Sequence, residues 1–202
     1  MGCNKKALAA LIGSVFMVGA FQVQASPSAK MMADTCAGCH GTNGQSVGPA
    51  SPNLAGMSEG YFIDSMLQFQ ALPKGADHAE DARPATIMNR IAKGYTEEQI
   101  EAMAAYFAAM PVYKADVPHD AAKAKMGAKF YDKGCAKCHD EGGALPDDDA
   151  GILAGQWLPW LQYSMDDFKA GHREMPRKMK KQVNKLSDAE LEAVLHYFAS
   201  QK

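Results

Sequence analysis

The chain has 202 residues, of which 47% are hydrophobic and 22% charged, and its formal net charge is −2 at pH 7. This length suits one ordinary domain or two small ones. The near balance of charge argues against nucleic-acid binding, which usually needs a strongly basic surface.

The N-terminal segment has the features of a secretory leader. A short basic start at residues 4–6 precedes an apolar run at 7–21, and small residues follow at 23–25, where a signal peptidase would cleave. The apolar run is shorter than a membrane-spanning helix requires. We therefore expect residues 1–25 to be removed, leaving a periplasmic protein with no membrane span. An uncleaved N-terminal anchor is the alternative.

The sequence C-x-x-C-H occurs twice, 99 residues apart, and supplies every cysteine outside the leader: Cys36, Cys39 and His40, then Cys135, Cys138 and His139. This motif is typical of covalent haem c attachment, because two thiols add to the porphyrin vinyl groups and the adjacent imidazole faces the iron. A thioredoxin-like pair would need a strand–helix context, which is missing, and a zinc site is the other alternative. Two copies behind a leader favour two covalently attached haem c groups.

The two motifs belong to a tandem repeat. At an offset of 99 residues, YFIDSMLQF at 61–69 aligns with WLQYSMDDF at 160–168. After a deletion of eight residues, MNRIAKGYT at 88–96 aligns with MKKQVNKLS at 179–187. Because a duplicated unit predicts two domains of the same fold, we expect domains at 26–112 and 121–202, joined by a linker at 113–120.

Each unit is predicted to be helical, because no stretch alternates apolar and polar residues as a strand would. The segments TEEQ, from Thr96, and SDAE, from Ser187, have the capping-box pattern that begins a helix. Segments 41–56 and 140–151 are rich in Gly, Pro and Asp and are expected to be loops. Helices are expected at 28–36, 59–72, 96–110, 121–135, 157–170 and 187–201, and the fold class is therefore all-α.

Iron held by one histidine needs a ligand on its opposite side, and that ligand separates electron transfer from chemistry on a small molecule. Met88 and Met179 occupy matching positions, each eight residues before the capping residue of a last helix. We expect them to bind the two irons, which leaves no iron position for a substrate. Met175 and His172 are alternatives to Met179.

Several other residues match across the repeat or are possible ligands by type. Tyr61 and Trp160 are equivalent, and each is expected either to hydrogen-bond a haem propionate or to pack in a core. Met66 and Met165 also match, and their helical spacing favours packing. The remaining histidines outside the motifs are assigned to the surface or to packing: His78, His119 and His196.

Together these motifs resemble class I cytochromes c, and the tandem pair resembles their diheme branch, which includes the c-four group. The runs CAGCHGTNGQSVGPASPNLAG, TIMNRIAKGY and ILAGQWLPWLQYSMDDF look more specifically like the cytochrome subunit of flavocytochrome c sulfide dehydrogenases. The resemblance implies two all-α domains, each around one haem c. It also implies iron ligation by His40 and Met88 in one domain, and by His139 and Met179 in the other.

The same resemblance implies a contact that orients the iron-binding histidine. In the family, a proline of the Pro-Asn-Leu segment offers its carbonyl to this histidine, and Pro52 matches that proline. The second half has Gly151, Ile152 and Leu153 at the matching positions. The second half therefore has no matching proline, although any backbone carbonyl of that loop could serve.

The resemblance further implies a periplasmic relay of single electrons, with no catalytic substrate site on this chain. Its donor would be a separate sulfide-oxidising flavoprotein, which alone would carry FAD, and its acceptor a soluble cytochrome or an oxidase. A free diheme shuttle between respiratory or photosynthetic complexes, without a flavoprotein, is the first alternative. A haem enzyme such as a peroxidase, which would have to lose a methionine ligand, is the second.

Charge differs between the two halves. Residues 26–112 contain five basic and nine acidic side chains, whereas residues 113–202 contain 14 of each. The basic residues near Met179 in sequence predict either a docking rim for an acidic partner or an ordinary solvated surface. They are Arg173, Arg177, Lys178, Lys180, Lys181 and Lys185.

Overall fold

The computed structural model describes residues 27–71, 82–145 and 149–202. The predicted leader and His78 lie outside these ranges. Within them the chain forms helices and irregular segments and no strand, as the all-α prediction requires. The helices are α1 (Ala29–Asp34), α2 (Ala37–His40), α3 (Glu59–Ala71), α4 (Met88–Ile91), α5 (Glu97–Ala108), α6 (Ala121–Gly134), α7 (Asp140–Gly143), α8 (Leu158–Ala170), α9 (Arg177–Val183) and α10 (Asp188–Ser200).

Polar side chains fix the starts of the long helices. The Thr96 hydroxyl accepts from the backbone N–H of Gln99, and the Gln99 side chain accepts from the N–H of Thr96, so α5 begins with a complete capping box. Ser187 and Glu190 form the same pair at α10, which confirms both predicted boxes. Asp120 caps α6 by accepting from two N–H groups of its first turn. Such caps satisfy N–H groups that have no partner within the helix.

Each half of the chain builds its own apolar core. In the N-terminal half, α3 and α5 pack together, and the rings of Phe62 and Phe107 lie 5.6 Å apart between centroids. In the C-terminal half, α6 packs on α10, and the centroids of Tyr131 and Phe198 are 5.7 Å apart. Burial of such rings contributes a large share of the apolar stabilisation of small domains. The two halves therefore have separate cores.

Buried amides join the two halves. The N–H of Asn53 donates to Oε1 of Gln156 at 2.8 Å, and Nε2 of Gln156 donates to the carbonyl of Asn53 at 3.1 Å. Nδ2 of Asn53 also donates to the carbonyl of Gly155 at 3.2 Å. Because Asn53 and Gln156 are only 2% and 0% exposed, losing any of these bonds would leave a buried polar group without a partner. The reciprocal bonds thus hold the two halves in one relative position.

The segment between the halves is irregular but not detached. Residues 111–120 have no regular secondary structure, yet Ala115 and Val117 are 3% exposed and belong to the C-terminal core. The N–H of Ala115 donates to the carbonyl of Gly155 at 3.1 Å. The connecting segment therefore packs onto the C-terminal half along part of its length. In the part of the chain that the structure describes, no helix is long and apolar enough to cross a membrane.

Candidate functional site

The first C-x-x-C-H motif is presented by one compact helical turn. Cys36 precedes α2 in helical conformation, and the N–H of His40 donates to the carbonyl of Cys36 at 2.9 Å. This spacing places the two cysteines and the histidine around a single turn. Neither Cys36 nor Cys39 forms a disulfide. The turn therefore offers two thiols and one imidazole from adjacent positions.

The carbonyl of Pro52 orients His40, at the position that the family resemblance implies. Nδ1 of His40 lies 2.8 Å from that oxygen, so Nδ1 carries the proton and Nε2 is left to bind a metal. The ring is 8% exposed. Burial lowers the pKa of His40, although the bond to Pro52 acts in the opposite direction. The ring is therefore held neutral, which is the form that binds iron.

The second motif repeats the backbone arrangement but not the histidine contact. The N–H of His139 donates to the carbonyl of Cys135 at 2.9 Å, as in the first motif. Its Nδ1, however, is buried and has no hydrogen-bond partner among the described residues. Gly151 is the residue that matches Pro52, and its carbonyl does not replace the proline contact. Burial alone lowers the pKa of His139 and keeps this ring neutral as well.

The thiol environments fit a porphyrin better than a zinc ion. Burial raises the pKa of Cys36, and it raises the pKa of Cys135 to about 11. Among the described residues, no three His, Cys, Asp or Glu side chains are grouped closely enough to hold a metal ion, as a zinc site would require. Uncharged thiols beside a neutral imidazole in an apolar core are instead the groups that covalent haem attachment uses. The residues present therefore fit haem c in both halves.

The late methionines lie at the edges of their own halves. Met88 begins α4 and packs, half-buried, against the N-terminal core that also contacts Cys36. Met179 is half-buried within α9. Met175 is half-buried in the irregular segment before α9, and the side chain of His172 is 53% exposed, with its Nδ1 3.9 Å from Asp167. Met88 and Met179 stay predictions, with Met175 and His172 as the alternatives to Met179.

Other matched residues serve packing. Met66 is 4% exposed in the N-terminal core, and Met165 packs against the C-terminal core, in agreement with their predicted role. Trp160 is 7% exposed and also lies in the C-terminal core.

His196 is 7% exposed, and its Nδ1 accepts from the N–H of Asp120 at 3.0 Å. His119 makes a local contact from its Nδ1 to the carbonyl of Val117 at 2.8 Å.

Tyr61 has a different environment from its repeat partner Trp160. Nη2 of Arg173 donates to the Tyr61 hydroxyl at 2.9 Å, which is a contact between the two halves. The guanidinium of Arg173 also lies over the ring of Phe168, 4.3 Å from its centroid. The sequence placed Arg173 in a basic rim around Met179, and the structure corrects this. Arg173 is half-buried against Tyr61 because an aromatic surface and a hydroxyl acceptor are available there.

Sequence reasoning did not identify Arg83 or the amides between the halves. Arg83 is 8% exposed, and its guanidinium lies over Phe69, 4.8 Å from the ring centroid. The sequence did contain a signal for Arg83. Phe69 and Phe168 match in the repeat, and each is followed by an arginine before the predicted methionine ligand. The pairing of Asn53 with Gln156 had no such signal, since these two residues are not equivalent in the repeat.

Comparison with protein families assigns the two halves separately. The profile of the family Cytochrome c matches residues 25–111. The profile described as Cytochrome C oxidase, cbb3-type, subunit III matches residues 122–198.

Three characterised relatives cover different shares of the chain. Cytochrome c4 of Stutzerimonas stutzeri is 30% identical over 80% of this chain and 82% of its own length. A thiosulfate dehydrogenase electron acceptor of Thiomonas intermedia is 28% identical over 95% of this chain and 88% of its own length. The cytochrome subunit of sulfide dehydrogenase from Chlorobaculum tepidum is 38% identical, but over only 36% of this chain and 57% of its own length.

The fold also matches a solved structure. Reduced recombinant cytochrome c4 from Pseudomonas stutzeri superposes with a TM-score of 0.71 and 25% identity. The match covers 88% of this chain and 100% of that one. The likeness therefore extends across both halves and their arrangement.

Proposed function

Because the chain belongs to the cytochrome c family and carries two covalently bound haem c groups for electron transfer, we propose that it relays single electrons in the periplasm. Its donor in this proposal is a dehydrogenase that oxidises an inorganic sulfur compound. Its acceptor is an external one, such as a soluble cytochrome or an oxidase. Haem c, when bound, supplies a one-electron couple between ferric and ferrous iron.

Each domain would hold its haem with its own residues. We propose domain limits of 26–112 and 121–202, with 113–120 as the connection. Pro52 fixes the ring of His40 through Nδ1, so that Nε2 would be free to bind the iron. The proposed haem attachment residues are Cys36 and Cys39 in the first domain and Cys135 and Cys138 in the second; the proposed iron ligands are His40 with Met88, and His139 with Met179.

The observation that carries this proposal is the pairing of two such sites at a fixed separation. His40 is buried in the first half, His139 is half-buried in the second, and the halves are joined by the reciprocal bonds of Asn53 and Gln156. A rigid connection keeps the distance between two redox sites constant. Electrons that a donor delivers to one site can then pass to the other site and leave the molecule there. A single-site carrier needs no such connection.

Two donors are supported by different matches. The match to the thiosulfate dehydrogenase electron acceptor spans most of the chain and favours a carrier that dissociates from its donor. The match to the sulfide dehydrogenase cytochrome subunit covers 36% of the chain and favours a tight complex with an FAD-containing flavoprotein. Both are electron-relay functions, and they differ in the stability of the complex and in the compound oxidised.

We further propose that α9 docks an acidic partner. This helix carries four exposed cations around Met179, namely Arg177, Lys178, Lys180 and Lys181. None of them forms an ion pair with a carboxylate of the described residues. A cationic surface beside a redox site attracts an acidic protein and orients it for electron transfer.

The first experiment is gentle purification from the periplasm, followed by visible spectra before and after addition of sulfide or thiosulfate. Co-purification of flavin with prompt reduction by sulfide would establish the subunit form. A cytochrome that purifies alone, and is reduced by thiosulfate only when other periplasmic proteins are returned, would establish the dissociating carrier. Failure of every periplasmic fraction to reduce it with either compound would refute a sulfur-compound donor.

A further inference from the structure

One peptide group of the first half is hydrogen-bonded at both of its ends, once within that half and once to the second half. Its carbonyl belongs to Pro52 and accepts from Nδ1 of His40 at 2.8 Å. Its N–H belongs to Asn53 and donates to Oε1 of Gln156 at 2.8 Å. Because the peptide group is planar and rigid, the side chain of Gln156 is linked to the ring of His40 through a single amide.

The partners of Gln156 determine how its side-chain amide is oriented. A backbone N–H can only donate a hydrogen bond, and a backbone carbonyl can only accept one. The oxygen of Gln156 therefore faces the N–H of Asn53, and its Nε2 donates to the carbonyl of Asn53 at 3.1 Å. Since Gln156 is fully buried, neither bond is weakened by competing water.

The side chain of Asn53 holds the same peptide group in place. Its Oδ1 accepts from the N–H of Ser46 at 2.9 Å, and its Nδ2 donates to the carbonyl of Gly155 at 3.2 Å. Every polar group of this buried residue thus has a partner. Because rotation of Asn53 would break several buried bonds, the carbonyl of Pro52 keeps its position toward His40.

The matching positions of the repeat do not form this link in the opposite direction. Ile152 matches Asn53, and Met57 matches Gln156. Both are buried, and neither has a side-chain amide. Nδ1 of His139 correspondingly has no hydrogen-bond partner among the described residues. At these positions the second half therefore reaches the motif histidine of the first half, and the first half does not reach that of the second.

We propose that Gln156 is a positioning residue through which the second half tunes the iron site of the first. When its oxygen accepts from the N–H of Asn53, electron density in the peptide shifts toward the carbonyl oxygen, because hydrogen bonds in a chain polarise one another. The carbonyl of Pro52 then accepts more strongly from Nδ1 of His40. A stronger bond at Nδ1 makes the imidazole more basic and favours ferric iron. This inference rests on the proposed ligation of iron by His40.

The test compares Gln156→Met with Trp157→Phe in the holoprotein by spectroelectrochemical titration of both haems. Gln156→Met keeps the side-chain length and removes the amide, so one haem is expected to shift about twofold to threefold toward ferrous iron. Trp157→Phe also removes a hydrogen bond between the halves, from Nε1 to the carbonyl of Ser46 at 3.1 Å, but leaves the peptide of Pro52 and Asn53 intact. This control is expected not to shift that haem toward ferrous iron.

The sign of the shift separates tuning from a looser contact between the halves. Loosening would admit water, and a more polar environment favours the more highly charged ferric state. Tuning by Gln156 predicts the opposite direction. A shift toward ferric iron in Gln156→Met, no shift at all, or a shift that Trp157→Phe reproduces would each overturn the proposal.

A second measurement uses the unmodified protein and serves where Gln156→Met does not fold. The dipeptide Pro-Asn occurs once in the chain, so ¹³C in proline carbonyls and ¹⁵N in asparagine amides together mark only the peptide of Pro52 and Asn53. Oxidation makes His40 a stronger donor, and infrared difference spectra should show a shift of the carbonyl stretching band of this peptide. Its N–H bending band should shift as well, because the bond to Gln156 strengthens with it. A bending band that stays fixed would overturn the coupling.

The variant His40→Gln separates failure of this inference from failure of the proposed ligation. If His40→Gln perturbs or removes one haem while Gln156→Met moves no potential, the ligation stands and only the role of Gln156 is refuted. If His40→Gln leaves the visible spectra of both haems unchanged, the ligation is wrong and the inference falls with it. The inference is supported when the haem that His40→Gln perturbs is the one that Gln156→Met shifts toward ferrous iron.

Discussion

The two halves carry the same C-x-x-C-H motif but hold its histidine in different ways. In the first half the side chain is anchored, because Nδ1 of His40 bonds to the carbonyl of Pro52. In the second half the backbone is anchored instead, because the Tyr131 hydroxyl donates to the carbonyl of His139. The Nδ1 atom of His139 has no partner among the described residues. The duplication kept the attachment chemistry and changed the surroundings that tune the iron.

The surfaces near the two proposed methionine ligands also differ. Ile87 and Ile91, 53% and 38% exposed, flank Met88 and give an apolar rim. Cations of α9 flank Met179 and give a basic one. Since an apolar rim and a basic rim suit different partners, the two halves are equipped for distinct encounters.

Removing the proposed methionine ligands should give the largest effect. Met88→Leu and Met179→Leu are each expected to open one iron to added cyanide and to lower one potential by about 100 mV or more, which is roughly 2 kcal/mol for one electron. Redox titrations and cyanide-binding spectra would show this. Met175→Leu and His172→Gln are the controls. If either control opens the second haem instead of Met179→Leu, the ligand set of that half is wrong.

The next effect concerns a close helix crossing at a glycine of the C-terminal half. Gly127 faces the α6–α10 crossing, where an added Cβ would overlap the carbonyl oxygen of Ala193. Gly127→Ala should therefore destabilise the C-terminal half by about 2 kcal/mol, as overpacking does. In the N-terminal half the matching residue is Ser28, which caps the six-residue α1.

Calorimetry of the holoprotein would measure this loss, with Gly134→Ala as the control on the same helix. A Cβ at Gly134 would approach nothing closer than 3.4 Å, so that substitution should be neutral or stabilise by up to about 1 kcal/mol. Equal stability of the two variants would show that the helices can separate at Gly127 without cost.

Much of this organisation was predictable, because it depends on residues near one another in sequence. The capping boxes at Thr96 and Ser187 and the matched motifs indicated the helices, the duplication and the haem c sites. The first helix was predicted at 28–36, but the observed α1 is shorter, because it ends at Asp34 before the motif turn begins. Periodicity describes one helix at a time and does not reveal such interruptions.

The contacts between the halves were not predictable, because they join residues about 100 positions apart. Nothing local distinguishes Asn53 or Gln156 from ordinary polar residues. Arg173 was assigned to a surface rim because its sequence neighbours are basic, and only the packing of the two halves shows that it faces Tyr61. Burial and partner identity follow from tertiary structure, so sequence spacing alone could not supply them.

A smaller effect is expected where the second half anchors its motif through the backbone. Tyr131 donates to the carbonyl of His139 and accepts from the buried N–H of Gly142, each at 2.8 Å. Tyr131→Phe removes both bonds and leaves that N–H without its acceptor, so we expect a loss of about 1 to 2 kcal/mol in thermal unfolding of the holoprotein. Tyr163→Phe, at a side chain 59% exposed, is the control. Unchanged stability of Tyr131→Phe would mean that the second motif does not need this anchor.

The smallest effect tests the basic rim itself. Lys180→Gln with Lys181→Gln should slow electron transfer with the acidic partner about twofold to fivefold at low ionic strength, and the difference should vanish at high salt, where exposed charges are screened. Stopped-flow kinetics over a range of salt concentrations would measure it. The control, Lys125→Gln with Lys129→Gln, removes the same charge from exposed positions on α6 instead of α9. Because net charge changes equally in both pairs, only a local docking role slows the first pair more than the second. Equal rates would assign α9 to the ordinary solvated surface and leave the apolar rim at Met88 as the surface feature that distinguishes the two halves.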